Sequence, residues 1–118
     1  MRLLQFTLPA RDVELIRYWY MRYFAMSSSD CTALDDGRVS YKLKCPEGDA
    51  SLLVVKSSGT QPPAERAVSV ASRQGVDFVT ELLRTDGNQI ETEPSVDAYG
   101  VYRSVALDPE GNRVTVTE

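Results

Sequence analysis

The sequence predicts an α+β fold in which two βαβββ modules form a curved mixed sheet with the helices outside. Three observations carry that expectation. Pro46-Glu47-Gly48-Asp49 returns sixty-three residues later as Pro109-Glu110-Gly111-Asn112. Each copy feeds a strand-like run, Leu52-Leu53-Val54-Val55 in the first and Val114-Thr115-Val116-Thr117 in the second. Ser57-Ser58-Gly59-Thr60-Gln61-Pro62-Pro63 is the only linker-like stretch, and it sits at the midpoint. A chain of 118 residues can bury a real core as one domain. The expected division is a module over 1–57, a linker over 58–63 and a second module over 64–118.

Strand alternation opens the chain over 2–8, with Leu4, Phe6 and Leu8 on one face, and Pro9 is expected to end it. Asp12 is a plausible N-cap for a helix reaching about Ala25. On a helical period Val13, Ile16, Tyr20, Tyr23 and Phe24 fall together with Trp19 at the margin, an arc that leaves one aromatic edge over. Strands follow at about 28–34, 38–44 and 51–56, the first two joined by a turn at Asp35-Asp36-Gly37-Arg38. In the middle one Val39, Tyr41 and Leu43 alternate with Ser40, Lys42 and Lys44, so one side is wet. The pattern then restarts. A strand at 65–71 precedes a helix at about 75–85, whose Val76, Val79, Leu82 and Leu83 line one face and which Asp86-Gly87 terminates. Strands at about 89–93, 99–107 and 112–117 complete the second module. A half with one helix and four strands leaves its other sheet face bare, so two halves side by side would offer a concave face.

Composition narrows the function. A net charge of −4 argues against nucleic acid and anionic membrane as partners. No apolar run is long enough to span a bilayer, and the first residues lack the apolar core of a signal peptide, so a cytoplasmic location is expected. Histidine is absent altogether, which removes the commonest metal ligand and the commonest base near neutral pH. Cys31 and Cys45 are expected to remain reduced. The hairpin register sets them on the order of 7–13 Å apart at strand rise, where a disulfide needs Cα atoms within about 7 Å.

The paired βαβββ modules, Asp12 opening the first helix, and Asp108-Pro109-Glu110-Gly111-Asn112-Arg113 entering the last strand resemble the vicinal-oxygen-chelate superfamily. That group includes glyoxalase I, extradiol dioxygenases, fosfomycin-resistance enzymes and bleomycin-resistance proteins, and the likeness covers essentially the whole chain. It implies a glyoxalase/bleomycin-resistance-like fold and, in metal-dependent members, ligands from equivalent strands of the two halves. The first ligand position, seven residues before the helix-opening Asp, is Gln5; some glyoxalase I relatives use Gln there. The matching position of the second half is Glu65. The last strand usually supplies a Glu seven residues after the Asp of the turn, and here that is Thr115, with Leu52 its partner through the repeat.

Gln, Leu, Glu and Thr make a poor site for a divalent transition metal. The resemblance therefore implies a protein that binds a small organic ligand in the concave face without the usual metal and with no cofactor. The alternative is a lyase or isomerase of glyoxalase I type, its degenerate metal site using Gln5 and Glu65, with Glu65 the candidate catalytic carboxylate. If Gln5, Leu52, Glu65 and Thr115 face inward, then Phe6, Leu53, Arg66 and Val114 face the helices. Thr7, Val54, Ser69 and Thr117 join the inward set. Glu65 is either a lone carboxylate for a cationic group or a solvated charge after the linker. Arg103 either clamps a ligand carboxylate or phosphate or pairs with an acidic neighbour at the sheet edge. Tyr18, Trp19, Tyr20 and Tyr23 serve as core or dimer interface in preference to stacking on a planar ligand. A homodimer is expected from the family resemblance and from the broad aromatic arc.

Overall fold

A computed structural model of the chain describes residues 4–28, 32–33, 39–44, 50–57, 65–70 and 72–118. The turns at 35–38 and 46–49, Cys31, Cys45 and the linker over 58–63 lie outside the described residues. The elements in order are β1 (Leu4–Ala10), α1 (Val13–Phe24), β2 (Ser27–Ser28), β3 (Thr32–Ala33), β4 (Val39–Lys44), β5 (Ala50–Lys56), β6 (Glu65–Ser69), α2 (Arg73–Thr85), β7 (Ile90–Val96), β8 (Tyr102–Leu107) and β9 (Arg113–Thr117). They divide into two compact units, Met1–Pro62 and Pro63–Glu118. No helix among the described residues is long and apolar enough to cross a membrane.

The first unit orders its strands β1-β5-β4-β2, with β3 also on β4. β1 runs parallel to β5, while β4 is antiparallel to β5 and to its short partners. β1 continues through Pro9 to Ala10, past the point where the proline was expected to stop it. A strand at the end of the order bonds a neighbour on one side only, so a missing N–H is tolerated there. The Asp12 carboxylate accepts the Leu15 N–H at 3.1 Å and starts α1 where the sequence places it. Trp19, Tyr20, Tyr23 and Phe24 are all buried, so no aromatic edge of that stripe is left over; the exposed ring on this helix is Tyr18.

The second unit repeats the topology as β6-β9-β8-β7, with β6 parallel to β9 and the remaining pairs antiparallel. Its helix begins two residues earlier than expected because Ser72 caps it, accepting the Gly75 N–H at 3.0 Å. Gly75 also fills a tight place, since a Cβ there would stand 2.7 Å from the Val70 carbonyl oxygen. The helix closes with Gly87 at φ 87°, Gly87 N–H donating to the Arg84 carbonyl and Asn88 N–H to that of Leu83. Two paired backbone bonds around a left-handed glycine are a stable helix stop. Val76, Val79, Thr80 and Leu83 are buried beneath it.

Side-chain parity is where structure and sequence part. Tyr41 donates its hydroxyl proton to the Glu14 carboxylate of α1, and the Arg17 guanidinium lies 4.4 Å from the Tyr41 ring centre. Tyr41 therefore faces α1. Its cross-strand partner is Val54, and Leu43 pairs with Leu52. Leu52 and Val54 thus lie on the helix-covered face, 6% and 0% exposed, and Leu53 on the opposite one. In the second unit the Thr80 and Ser104 hydroxyls meet at 2.7 Å, placing Ser104 toward α2. Ser104 pairs with Val116 and Ala106 with Val114, so Thr115 faces away from α2 as expected. The counterpart of Thr115 is consequently Leu53, not Leu52. The repeated turn motifs match in sequence, but Leu53 stands four residues after Asp49 while Thr115 stands three after Asn112. A one-residue slip exchanges every side chain between faces.

Candidate functional site

The α2-free face of the second sheet is the best-defined surface among the sequence-derived candidates. Three rows cross it: Glu65–Arg113–Leu107, then Ala67–Thr115–Val105, then Thr117–Arg103–Ser95. β-Strand alternation puts these residues on one side, opposite the buried Ser104, Ala106, Val114 and Val116. Thr115, Thr117 and Val105 are half-buried, and Ala67 is exposed.

Glu65 is not a lone carboxylate. Its Oε1 is 3.2 Å from Arg113 Nη1, and the same guanidinium holds Glu91 through Nε and Nη2 at 3.0 and 2.9 Å. The hydrogen bond to Glu65, followed by that to Glu91, raises the Arg113 pKa above its ordinary value. All three side chains are substantially exposed, where such pairs contribute little to stability. Their effect on the surface is to occupy the carboxylate that the sequence offered as base or ligand.

Arg103 lies at the other end of the face. Its Nε stands 3.8 Å from Asp97 Oδ2, an ion pair too long for a hydrogen bond. Its Nη1 is buried and has no hydrogen-bond partner. Asp97 is committed elsewhere: Oδ1 accepts the N–H groups of Tyr99 at 2.8 Å and Val101 at 3.0 Å. Those contacts close a turn in which Gly100 takes φ 82°, and β8 begins only at Tyr102, later than the strand expected from 99. The Val101 and Tyr99 N–H groups depress the Asp97 carboxyl below its usual range; partial burial opposes them and the Arg103 charge adds to them.

A carboxyl depressed by folding contributes stability above the unfolded aspartate range and loses it as pH falls through its folded value. The stability difference between wild type and Asp97→Asn should therefore shrink as pH drops from neutrality to below the ordinary aspartate range. Urea unfolding at a series of pH values measures it. A difference independent of pH would remove the assignment.

In the first unit Thr7 is exposed and pairs with Leu53, while Gln5 pairs with Ser51. The structural counterparts Gln5 and Glu65 each stand seven residues before the cap of the following helix, Asp12 and Ser72. Leu52 and Val54 leave the candidate list, because a side chain packed under α1 does not reach the open face. Asp97 enters it; the Asp-x-x-Gly spacing of 97–100 was its signal in the sequence.

Comparison with known proteins agrees with this architecture. A model of the Glyoxalase/Bleomycin resistance protein/Dioxygenase superfamily matches residues 2–116. No curated protein matches the chain. Among solved structures, a possible glyoxalase from Bacillus cereus superposes with a TM-score of 0.80 at 21% identity, covering 100% of this chain and 99% of that one. A lactoylglutathione lyase from Agrobacterium tumefaciens gives 0.78 at 19% identity over 99% and 92% of the two chains. A superfamily member from Sphaerobacter thermophilus gives 0.83 at 15% identity over 100% and 97%. At such identities the likeness establishes the fold. Matched along nearly its whole length, the chain belongs to the Glyoxalase/Bleomycin resistance protein/Dioxygenase superfamily.

Proposed function

We propose that this protein binds a small organic ligand on the α2-free face of its second sheet and does so without the divalent metal common in the superfamily. The observation that supports this reading most is the chemistry of the donor set. Once the register is corrected, the four family positions are Gln5, Leu53, Glu65 and Thr115. Leu53 has no donor atom, the Glu65 carboxylate is engaged by Arg113, and a threonine hydroxyl is a weak ligand. Among the described residues no group of three or more His, Cys, Asp or Glu side chains could hold a metal ion. These residues do not fit the ion.

The reading is tested by elemental analysis of unstripped protein and by thermal melting with EDTA or with added Ni²⁺, Zn²⁺ or Mn²⁺. The expected result is no stoichiometric metal and an unmoved Tm, since only a species that binds the folded state raises it. Stoichiometric metal whose loss lowers Tm, and whose binding is abolished by Glu65→Gln, would overturn the proposal in favour of a lyase or isomerase.

A further inference from the structure

The reading above leaves the ligand's chemistry open, and Arg103 specifies it. Buried polar groups in native proteins are almost always hydrogen-bonded, so a buried guanidinium N–H without an acceptor marks a place where an acceptor is wanted. Arg103 Nη1 is such an atom. The Arg103 side chain as a whole is 29% exposed, so part of it reaches the surface although Nη1 is buried. Asp97 does not satisfy it: the nearer contact is to Nε at 3.8 Å, and the other carboxylate oxygen is held by the backbone of its own turn.

We propose that Arg103 is the anchor for a carboxylate, and that the ligand is a small organic monocarboxylate whose apolar body lies along Val105 and Ala67. This rests on the small-molecule reading of the same face. Charge separates a carboxylate from a phosphate. Asp97 already offsets part of the Arg103 charge, so one further negative charge is better tolerated there than two, and a dianion is the more strongly repelled by the aspartate. The neighbouring row, Ala67–Thr115–Val105, offers methyl surface with one hydroxyl, which suits a short aliphatic or aromatic tail. Thr117, the cross-strand partner of Arg103, borders the head group.

The test uses the full chain in low-chloride buffer. The Arg103 Nε–H resonance, identified by its absence in Arg103→Lys, is followed while butyrate or benzoate is titrated. Butyramide and benzamide serve as uncharged analogues, and phenyl phosphate as the dianion. Saturable shifts of that resonance with the carboxylates and none with the amides are expected. Arg103→Gln should weaken benzoate binding about tenfold or more, as loss of a charge-assisted hydrogen bond does, and Arg103→Lys should weaken it less. Amides that bind as tightly as the acids, tighter binding of phenyl phosphate, or no response to any carboxylate in the millimolar range would each overturn the proposal. Because the readout is a signal of Arg103 itself, it stands apart from the metal analysis: a required cation would defeat the metal-free reading without touching this one.

Discussion

Trp19→Ala should destabilise the protein by about 3–5 kcal/mol, the usual cost of truncating a buried aromatic. Trp19 is 4% exposed, and the other buried aromatics among the described residues, Tyr20, Tyr23 and Phe24, are its neighbours on the same helix. Its ring stands edge-on to Tyr20 at 4.9 Å between centroids and to Tyr23 at 5.3 Å, with Phe24 tilted at 5.9 Å. Edge-to-face pairs place the positive rim of one ring against the negative face of the next, a gain of about 0.5–1.5 kcal/mol each beyond the area buried. Alanine removes those contacts together and leaves a void that rigid neighbouring rings fill poorly. Trp19→Phe should retain much of the stacking and lose about 1–2 kcal/mol. Urea denaturation followed by far-ultraviolet circular dichroism measures both. A Trp19→Ala loss below about 1 kcal/mol would show that this cluster is not the core of its unit.

Asp108→Ala should be the largest effect at a polar position, on the order of 2–4 kcal/mol. Asp108 is buried in the turn between β8 and β9. Oδ1 accepts the N–H groups of Glu110 and Asn112, both at 2.9 Å, and Oδ2 accepts the Asn112 side-chain amide at 2.8 Å. The backbone is tied as well, Asp108 N–H to the Asn112 carbonyl and Gly111 N–H to that of Asp108. Alanine strips the acceptor from three donors at once, in a turn too buried for water to replace all of them. Asp108→Asn keeps an oxygen for the backbone N–H groups but turns an NH₂ toward Asn112, so its loss should be smaller. Asn112→Ala should be smaller again. Urea midpoints in any other order would mean that the carboxylate is not what shapes this turn. The turn also sets the β8–β9 register, and with it the positions of Arg103 and Thr115.

Much of this was legible in the residues. The repeated turn motif announced two modules of one topology, and Asp12, Gly87 and the apolar stripes of both helices located the helices to within a few residues. Gln5 was counted from the Asp12 cap and Glu65 from the start of the second half, and in the structure each stands seven residues before a helix cap. Leu52 was misplaced because it was counted from the turn. Glu65 had two readings in the sequence, and its tie to Arg113 and Glu91 joins three separate strands that no local pattern connects. The Asp97 turn was missed for a different reason: the β-forming run around Val101 masked a four-residue Asp-to-Gly turn inside it.

The chain's own periodicity and punctuation determined the α+β class, the twofold repeat and the order of elements, since all three depend on residues near one another in sequence. Only the tertiary structure decided which strand residues look away from the helices and which charges are already taken. Alternation in a strand has no absolute phase until a helix covers one side. An ion pair across a sheet exists only once distant strands have been laid side by side.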